Sequence, residues 1–520
     1  MSDMAIKLSL LILFFAVMVG IGLYCRRHAS DVAGFVLGGR SVGPWLTAFA
    51  YGTSYFSAVV FVGYAGQFGW RYGIAATWAG LGNAFLGSLL AWVVLGRRTR
   101  VMTQHLDSAT MPEFFGRRFE SRRLKLAASV IIFLFLIPYT ASLYNGLSRL
   151  FAMAFDVDYE LCVAVMAILT GVYVIAGGYM ATAINDFIQG IIMLVGICAV
   201  IGAVLQSQGG FLTALDSLAR VSDPTVSNTP GVFASFFGPD PLNLLGVVLL
   251  TSLGTWGLPQ MVQKFYAIKN EASISKGTVI STAFAAIVAG GCYFLGGFGR
   301  LYSDKVDVAS QGYDAIIPTM LSGLPTFLIA VVVILVLSAS MSTLSSLVLT
   351  SSSTLTLDFI QGNLIKHMGE KQKLRWMRAL VVVFIAISVV LAIIQYRSSV
   401  TFIAQLMGIS WGALAGAFLA PFLYGLYWKR TTRSACAASF FFSTTVMLAN
   451  ILVGELFPPL LRSPINCGAF CMLAGLVLVP LVSLFTSPPD SRQVEKIFSC
   501  YDQTITVTLR DSIGRPERKK

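Results

Sequence analysis

The chain has 520 residues, of which 12% are charged and 56% hydrophobic, with a mean hydropathy of +0.76. Soluble proteins carry about 25% charged residues, so a soluble enzyme, a disordered chain and a secreted disulfide scaffold are excluded. The 37 Lys and Arg exceed the 24 Asp and Glu by 13, a balance whose meaning depends on where the charges sit.

Thirteen apolar spans run near 6–25, 42–69, 74–96, 126–153, 160–177, 184–205, 242–267, 277–299, 323–357, 378–396, 400–428, 434–454 and 467–486. Each is long enough to cross a hydrocarbon core of ~30 Å, whereas a membrane barrel would show alternating segments of ~10 residues. The expected class is an all-α polytopic membrane protein. Asp3 and Lys7 precede the first span and Arg26 and Arg27 follow it, the reverse of a signal peptide. A retained helix with its N-terminus outside is expected.

Alternate connections then face the cytoplasm, where Lys and Arg concentrate. They hold 29 of the 37 basic residues: Arg26, Arg27 and Arg40; eight between Arg97 and Lys125; Lys264, Lys269 and Lys276; five between Lys366 and Arg378; Lys429, Arg430 and Arg433; and seven in the tail. The excess is therefore a record of topology rather than a nucleic-acid footprint, and it offers a surface to anionic lipid at the cytoplasmic face. No nucleic-acid partner is expected. No phosphate-binding G-x-x-x-x-G-K-[ST] loop occurs, which argues against ATP-driven transport. The eight cysteines form no C-x-x-C pair, and the three histidines have no metal-ligand spacing.

Two spans are interrupted. In the second, Gly52 is followed by Thr53, Ser54, Tyr55, Phe56 and Ser57; the seventh carries Gly254, Gly257 and Pro259 near its middle. Backbone freed at membrane depth is tolerated only inside protein or along a cavity. The breaks open two blocks of five spans, 2–6 and 7–11, and an odd block length inverts the second block in the membrane. Paired breaks at matched positions of inverted halves point to a secondary transporter with its site at the breaks.

The ninth span is rich in hydroxyls: twelve of the nineteen residues from Ser338 to Thr356 are Ser or Thr. Ala339, Ser342, Thr343 and Ser346 share one helical face, with Ser345 on its flank. Many hydroxyls here can serve as small packing residues. Two hydroxyls plus carbonyls from an unwound helix would also suit a dehydrated Na⁺. Asp186 is the one carboxylate expected inside the bundle, in the first turn of the sixth span. There it is either a helix N-terminal charge or a cation ligand.

The segments FVLGGRSVGPWLTAFAYGTSYFSA (35–58), GGYMATAINDFIQGIIMLVG (177–196) and SASMSTLSS (338–346) resemble the sodium/solute symporter family, which includes sodium/proline, sodium/pantothenate, sodium/sialic acid and sodium/glucose transporters. The resemblance covers residues 30–430. It implies a LeuT-type fold of five-plus-five inverted repeats with a leading helix and two trailing ones. The expected organisation is a leading helix and connection 1–41, a first repeat 42–205, an extracellular loop 206–241, a second repeat 242–430, trailing helices 431–487 and a cytoplasmic tail 488–520.

The resemblance also implies Na⁺ as the coupling ion. It would be held by the carbonyls of Thr53, Phe56 and Ala339 and the hydroxyls of Ser342 and Thr343. A second Na⁺ site would use Asp186 with Ser342, Ser345 and Ser346. The candidate solute contacts are Ser57, Tyr139, Thr255, Trp256 and Gln260, with Trp256 open to a packing or gating role. Tyr139 matches a substrate-site tyrosine of proline transporters. Those transporters have an aspartate where Tyr55 stands, and aromatic residues at Thr251 and Thr255. The expected activity is Na⁺-coupled import of a small organic solute: an amino acid such as proline, or a small carboxylate or vitamin. A transporter-like sensor and a proton-coupled symporter are the alternative readings. A membrane enzyme would need clustered acid–base groups at membrane depth, and the sequence offers Asp186 alone.

Overall fold

Prolines and polar caps decide where the helices begin. Pro44, Pro241, Pro259 and Pro464 stand in first turns, where a missing amide hydrogen costs nothing. Asp240, Asn270 and Thr432 accept from the amides of Asn243, Ser273 and Ala435, satisfying groups the helix itself leaves open. The structure, a computed structural model, describes residues 3–155, 158–361, 363–365, 367–398 and 403–502. Lys366 and the tail residues Arg510, Arg515, Arg518, Lys519 and Lys520 lie outside the described residues.

The main helical elements are α1 (Asp3–Cys25), α2 (Pro44–Tyr55), the helical run α3 (Val59–His105), α4 (Arg122–Phe155), α5 (Tyr159–Ser207), α6 (Pro241–Gly257), α7 (Pro259–Ala267), α8 (Glu271–Gly296), α9 (Thr326–Thr354), α10 (Glu370–Ser398), α11 (Ile403–Tyr427), α12 (Arg433–Val453) and α13 (Pro464–Phe485). Among the described residues there are isolated bridges and no strand.

Among the described residues, ten helices are long and apolar enough to cross a membrane, or eleven if the bent pair α6–α7 counts as one span, against thirteen spans expected. The difference has a physical source. The runs α3 and α5 are 47 and 49 residues long, about 70 Å each at ~1.5 Å per residue, more than twice the core thickness. Both are interrupted at a glycine with positive φ, Gly73 (φ 61°) and Gly178 (φ 55°). A Cβ at Gly73 would lie 2.0 Å from the Phe233 carbonyl oxygen, and one at Gly178 would lie 2.9 Å from the Phe35 ring. Thirteen crossings therefore require that both runs double back at these glycines. One consequence concerns Asp186. It stands eight residues beyond Gly178 within continuous helix, not in a first turn, so N-terminal helix placement does not explain it.

Both expected breaks are present, and their backbones match. After α2 the chain turns extended at Phe56 (φ −82°, ψ 123°), and between α6 and α7 it does so at Leu258 (φ −77°, ψ 122°), where the helices bend by 45°. In each case the last helical bond runs from the extended residue's amide to a glycine carbonyl four residues earlier, Gly52 or Gly254, at 3.2 Å.

Burial places α11 at the centre: its apolar window is 94% buried, against 22% for α1. Small residues allow this. A Cβ at Gly412 of α11 would lie 2.7 Å from the Gly468 Cα of α13, so the two backbones nearly touch. The helix α9 packs on α2, α4, α5 and α10, and every residue from Val332 to Thr354 except Ile334 is buried.

The connections gather into two groups. In one, Arg98 and Arg118 donate to the Leu426 and Gly425 carbonyls, Arg100 to Ile268, and Tyr501 to Arg98. In the other, Arg300 pairs with Asp223 at 2.7 Å and Asn466 with Asn243 at 2.5 Å. The first group draws on stretches expected at the cytoplasmic face and the second on stretches expected outside. One basic residue breaks the pattern. Lys264, counted above with the cytoplasmic connections, is 2% exposed and helical within α7, so it is a bundle residue and not a loop charge.

Candidate functional site

The extended residue Phe56 takes the carbonyls at the end of α2 out of the helical ladder. They meet α9. The Thr53 carbonyl accepts from the Ser342 hydroxyl at 3.0 Å and from Thr343 at 3.1 Å, and the Phe56 carbonyl lies 3.3 Å from Thr343 Oγ1. The Ala339 carbonyl, one turn back on α9, lies 3.0 Å from Ser342 Oγ and 3.1 Å from Thr343 Oγ1. All five residues are buried. The structure thus brings together the whole expected first ion set.

The chemistry of this cluster suits a cation. Three carbonyl oxygens surround two hydroxyls, and each hydroxyl has a single proton to donate. Thr343 Oγ1 has three carbonyls within 3.3 Å and can satisfy one of them. The surplus of lone pairs, with no carboxylate in the set, fits a monovalent ion better than a divalent one.

The expected second ion set is arranged differently. Asp186 is fully buried, and neither carboxylate oxygen accepts a hydrogen bond from the described residues. The Lys264 ammonium lies 3.8 Å from Asp186 Oδ2 and donates to Ser346 Oγ at 3.0 Å. Ser346 in turn is 2.8 Å from Ser54 Oγ on α2. Ser345 turns its hydroxyl back to the Ser342 carbonyl at 2.9 Å.

The candidate solute contacts separate into two groups. Ser57 and Tyr139 are fully buried with unpartnered hydroxyls, and the Gln260 amide, in the first turn of α7, is also buried and unpartnered. Tyr139 packs edge-on against Trp411 with ring centres 5.9 Å apart, and Tyr55 lies at the same distance on a tilted plane. The Tyr55 hydroxyl and the Trp411 indole nitrogen are unpartnered as well. Such buried orphan groups at a helix break need a polar partner. By contrast, Thr255 Oγ1 lies 2.8 Å from the Gly87 carbonyl and 2.9 Å from the Ser252 carbonyl, with one proton to give to either, and the Trp256 indole donates to Leu86 at 2.9 Å. The contacts to Gly87 and Leu86 join α6 to α3, so the polar atoms of Thr255 and Trp256, unlike those of Ser57 and Tyr139, have partners within the protein.

The sequence does not single out Trp411 or Lys264 for this site. The signal for Trp411 was an isolated aromatic among small residues in GISWGALAG. The signal for Lys264 was a lysine on the far half of a broken helix.

A break in one membrane helix, bound through its carbonyls to hydroxyls of another, defines a secondary transporter of the LeuT type. The sodium:solute symporter family model matches residues 35–441, and the chain belongs to that family. It is 27% identical to the osmoregulated proline transporter OpuE of Bacillus subtilis, over 92% of this chain and 94% of that protein. It is 28% identical to a sodium/proline symporter of Staphylococcus aureus, over 91% of each. A solved structure of a Na⁺-coupled sialic acid symporter shares the fold with a TM-score of 0.69, covering 93% of this chain and 99% of that one at 16% identity. The protein is a multi-pass membrane transporter that uses sodium, not an enzyme.

Proposed function

We propose that the protein imports a small organic solute together with Na⁺ across the cell membrane by alternating access. The observation that carries this reading is the cluster of Thr53, Phe56, Ala339, Ser342 and Thr343, whose oxygens converge where α2 is broken. Na⁺ there ties α2 to α9 and fixes the position of the break, beside which the unpartnered Ser57 stands. The solute meets Tyr139, Ser57 and Gln260, and Tyr55 and Trp411 add aromatic walls. Reciprocity then requires the solute to tighten Na⁺ binding by the same factor as Na⁺ tightens the solute.

The solute class is an amino acid, with proline the first to test because two relatives are named for it. Tyr55 makes this site more neutral than one with an aspartate there, so a small carboxylate or vitamin is the next class. The carboxylate of either would find amide donors at the helix breaks. The N-terminus lies outside and the C-terminus in the cytoplasm, which puts the basic stretch 97–125 against anionic lipid headgroups.

Purified protein in proteoliposomes tests this directly. Uptake of labelled proline, other amino acids, small carboxylates, sugars and vitamins is compared under an inward NaCl gradient and under KCl. Accumulation of one solute in NaCl alone is expected. Equal accumulation in both salts, or binding without accumulation, would overturn the proposal.

A further inference from the structure

The place that Asp186, Ser345 and Ser346 would offer to a second sodium already holds a positive charge. Lys264 reaches it from α7, the far half of the second broken helix. Its ammonium touches Ser346 Oγ at 3.0 Å, faces Asp186 Oδ2 at 3.8 Å and lies 5.1 Å from the centre of the Tyr179 ring. A hydroxyl, a carboxylate and an aromatic face are the partners a bound cation would use. Among the described residues Lys264 is the sole ion-pair partner of this buried carboxylate. Buried charges persist in a bundle when they are paired, and here the pair sums to zero. A sodium added beside Asp186 would put two cations on one carboxylate away from water.

We propose that Lys264 is a resident cation that takes the place of the second sodium, so that this transporter binds and moves a single Na⁺ per cycle through the Thr53–Phe56–Ala339–Ser342–Thr343 cluster. The inference rests on the sodium-coupled reading above and specifies its ion count. Tethered to α7, the ammonium does the holding work of an ion without being released. Through Asp186 it holds α5, and through Ser346 it holds α9. Through Ser346 and Ser54, 2.8 Å apart, it reaches α2 one residue from Thr53, whose carbonyl belongs to the sodium cluster. Both broken helices are thereby joined on one chain of contacts. The mobile Na⁺ and the fixed ammonium occupy opposite ends of it.

Equilibrium binding of ²²Na⁺ to the purified full-length protein, with no solute present, decides the matter. Wild type is expected to bind one Na⁺ per chain with a non-cooperative isotherm. Lys264→Met keeps the stem and frees the carboxylate, and it is expected to raise the count to two; Lys264→Met with Asp186→Asn returns it to one. Two sodium ions on wild type, or one on folded Lys264→Met, would overturn the proposal while leaving sodium coupling intact. No bound Na⁺ on wild type would overturn the sodium-coupled reading itself. If Lys264→Met does not fold, Asp186→Asn alone is decisive. A count still at one supports the lysine as the occupant, and a drop below the wild-type count makes Asp186 a sodium ligand.

Discussion

At the scale of single residues, the proposed sodium cluster depends on hydroxyls being both donor and acceptor. Ser342 and Thr343 each have one proton to share among the carbonyls within 3.3 Å. A Na⁺ bound there, as proposed, would take the lone pairs of the same hydroxyl oxygens and leave their protons to point elsewhere. Ser342→Ala or Thr343→Ala removes one of five oxygens and leaves the Thr53 carbonyl short of a partner. A hydrogen bond to a charged group contributes ~2 kcal/mol, which corresponds to roughly 30-fold weaker Na⁺ binding. The concentration of NaCl needed for half-maximal thermal stabilisation should rise by that order for both variants. Thr343→Ser, which keeps the hydroxyl, should stay near wild type. An unchanged NaCl requirement in both alanine variants would remove the cluster from the mechanism. The glycine-led break and the i, i+3, i+4 face of Ala339, Ser342 and Thr343 were legible as local patterns, whereas choosing these five residues as one ligand set rested on the resemblance to the family's motifs. Lys264 was not legible, since a lysine near the end of an apolar span reads equally well as an interfacial charge. Only the fold of α7 against α5 and α9 decides that it points inward.

At the scale of elements, the two breaks are the same device made twice. Gly52-Thr-Ser-Tyr-Phe56 and Gly254-Thr-Trp-Gly-Leu258 end their helices with nearly identical torsions and an equivalent final hydrogen bond. The glycines also set how closely the breaks approach their neighbours. A Cβ at Gly257 would lie 2.8 Å from both Ala415 Cα and Leu419 N of α11, which is backbone and cannot swing aside. At Gly52 the nearest atom would be Phe284 Cδ1 at 2.4 Å, on a side chain with somewhat more freedom. Gly257→Ala should therefore displace the α6–α7 hinge from α11 and cost ~1–3 kcal/mol, the range for overpacking a filled core. A lower melting temperature and a lower maximal uptake rate are expected, with the NaCl requirement nearly unchanged because the sodium cluster lies on the other break. Wild-type melting and uptake in this variant would show that the contact is looser than the structure draws it. The breaks could be read locally, from Gly52 and the poor helix formers at 53–57 after it and from Gly254, Gly257 and Pro259. That Thr255 and Trp256 face α3 could not, because the rotation of a helix beyond a bend depends on its neighbours.

At the scale of the whole molecule, the basic excess is informative only once the chain is divided between two faces. The stretches 97–125, 268–271 and 425–430 interlock on one face through Arg97–Glu271, Arg100–Ile268 and Arg118–Gly425 contacts. The segments 223, 243, 300 and 466 interlock on the other. Removing Lys264 from the count weakens the imbalance by one charge and leaves its sign. The thirteen-span reading found each crossing by its apolar content. Where a crossing ended at Gly73 or Gly178 without a polar loop, the helix runs on, and the boundary is a torsion angle rather than a stretch of polar sequence. Such joins preserve parity, so the orientation can still be tested at sites far from them. Asp304 and Asp490 are both exposed and fall on opposite faces by that parity. Seven of the eight native cysteines are buried, which keeps the background to Cys198. With a membrane-impermeant maleimide, Asp304→Cys should label in intact cells, and Asp490→Cys only after permeabilisation. The opposite pattern would invert the molecule, placing the 97–125 basic face outside against the charge bias that membrane insertion follows. The sodium cluster would then be read from the other side of the membrane, and import would become export.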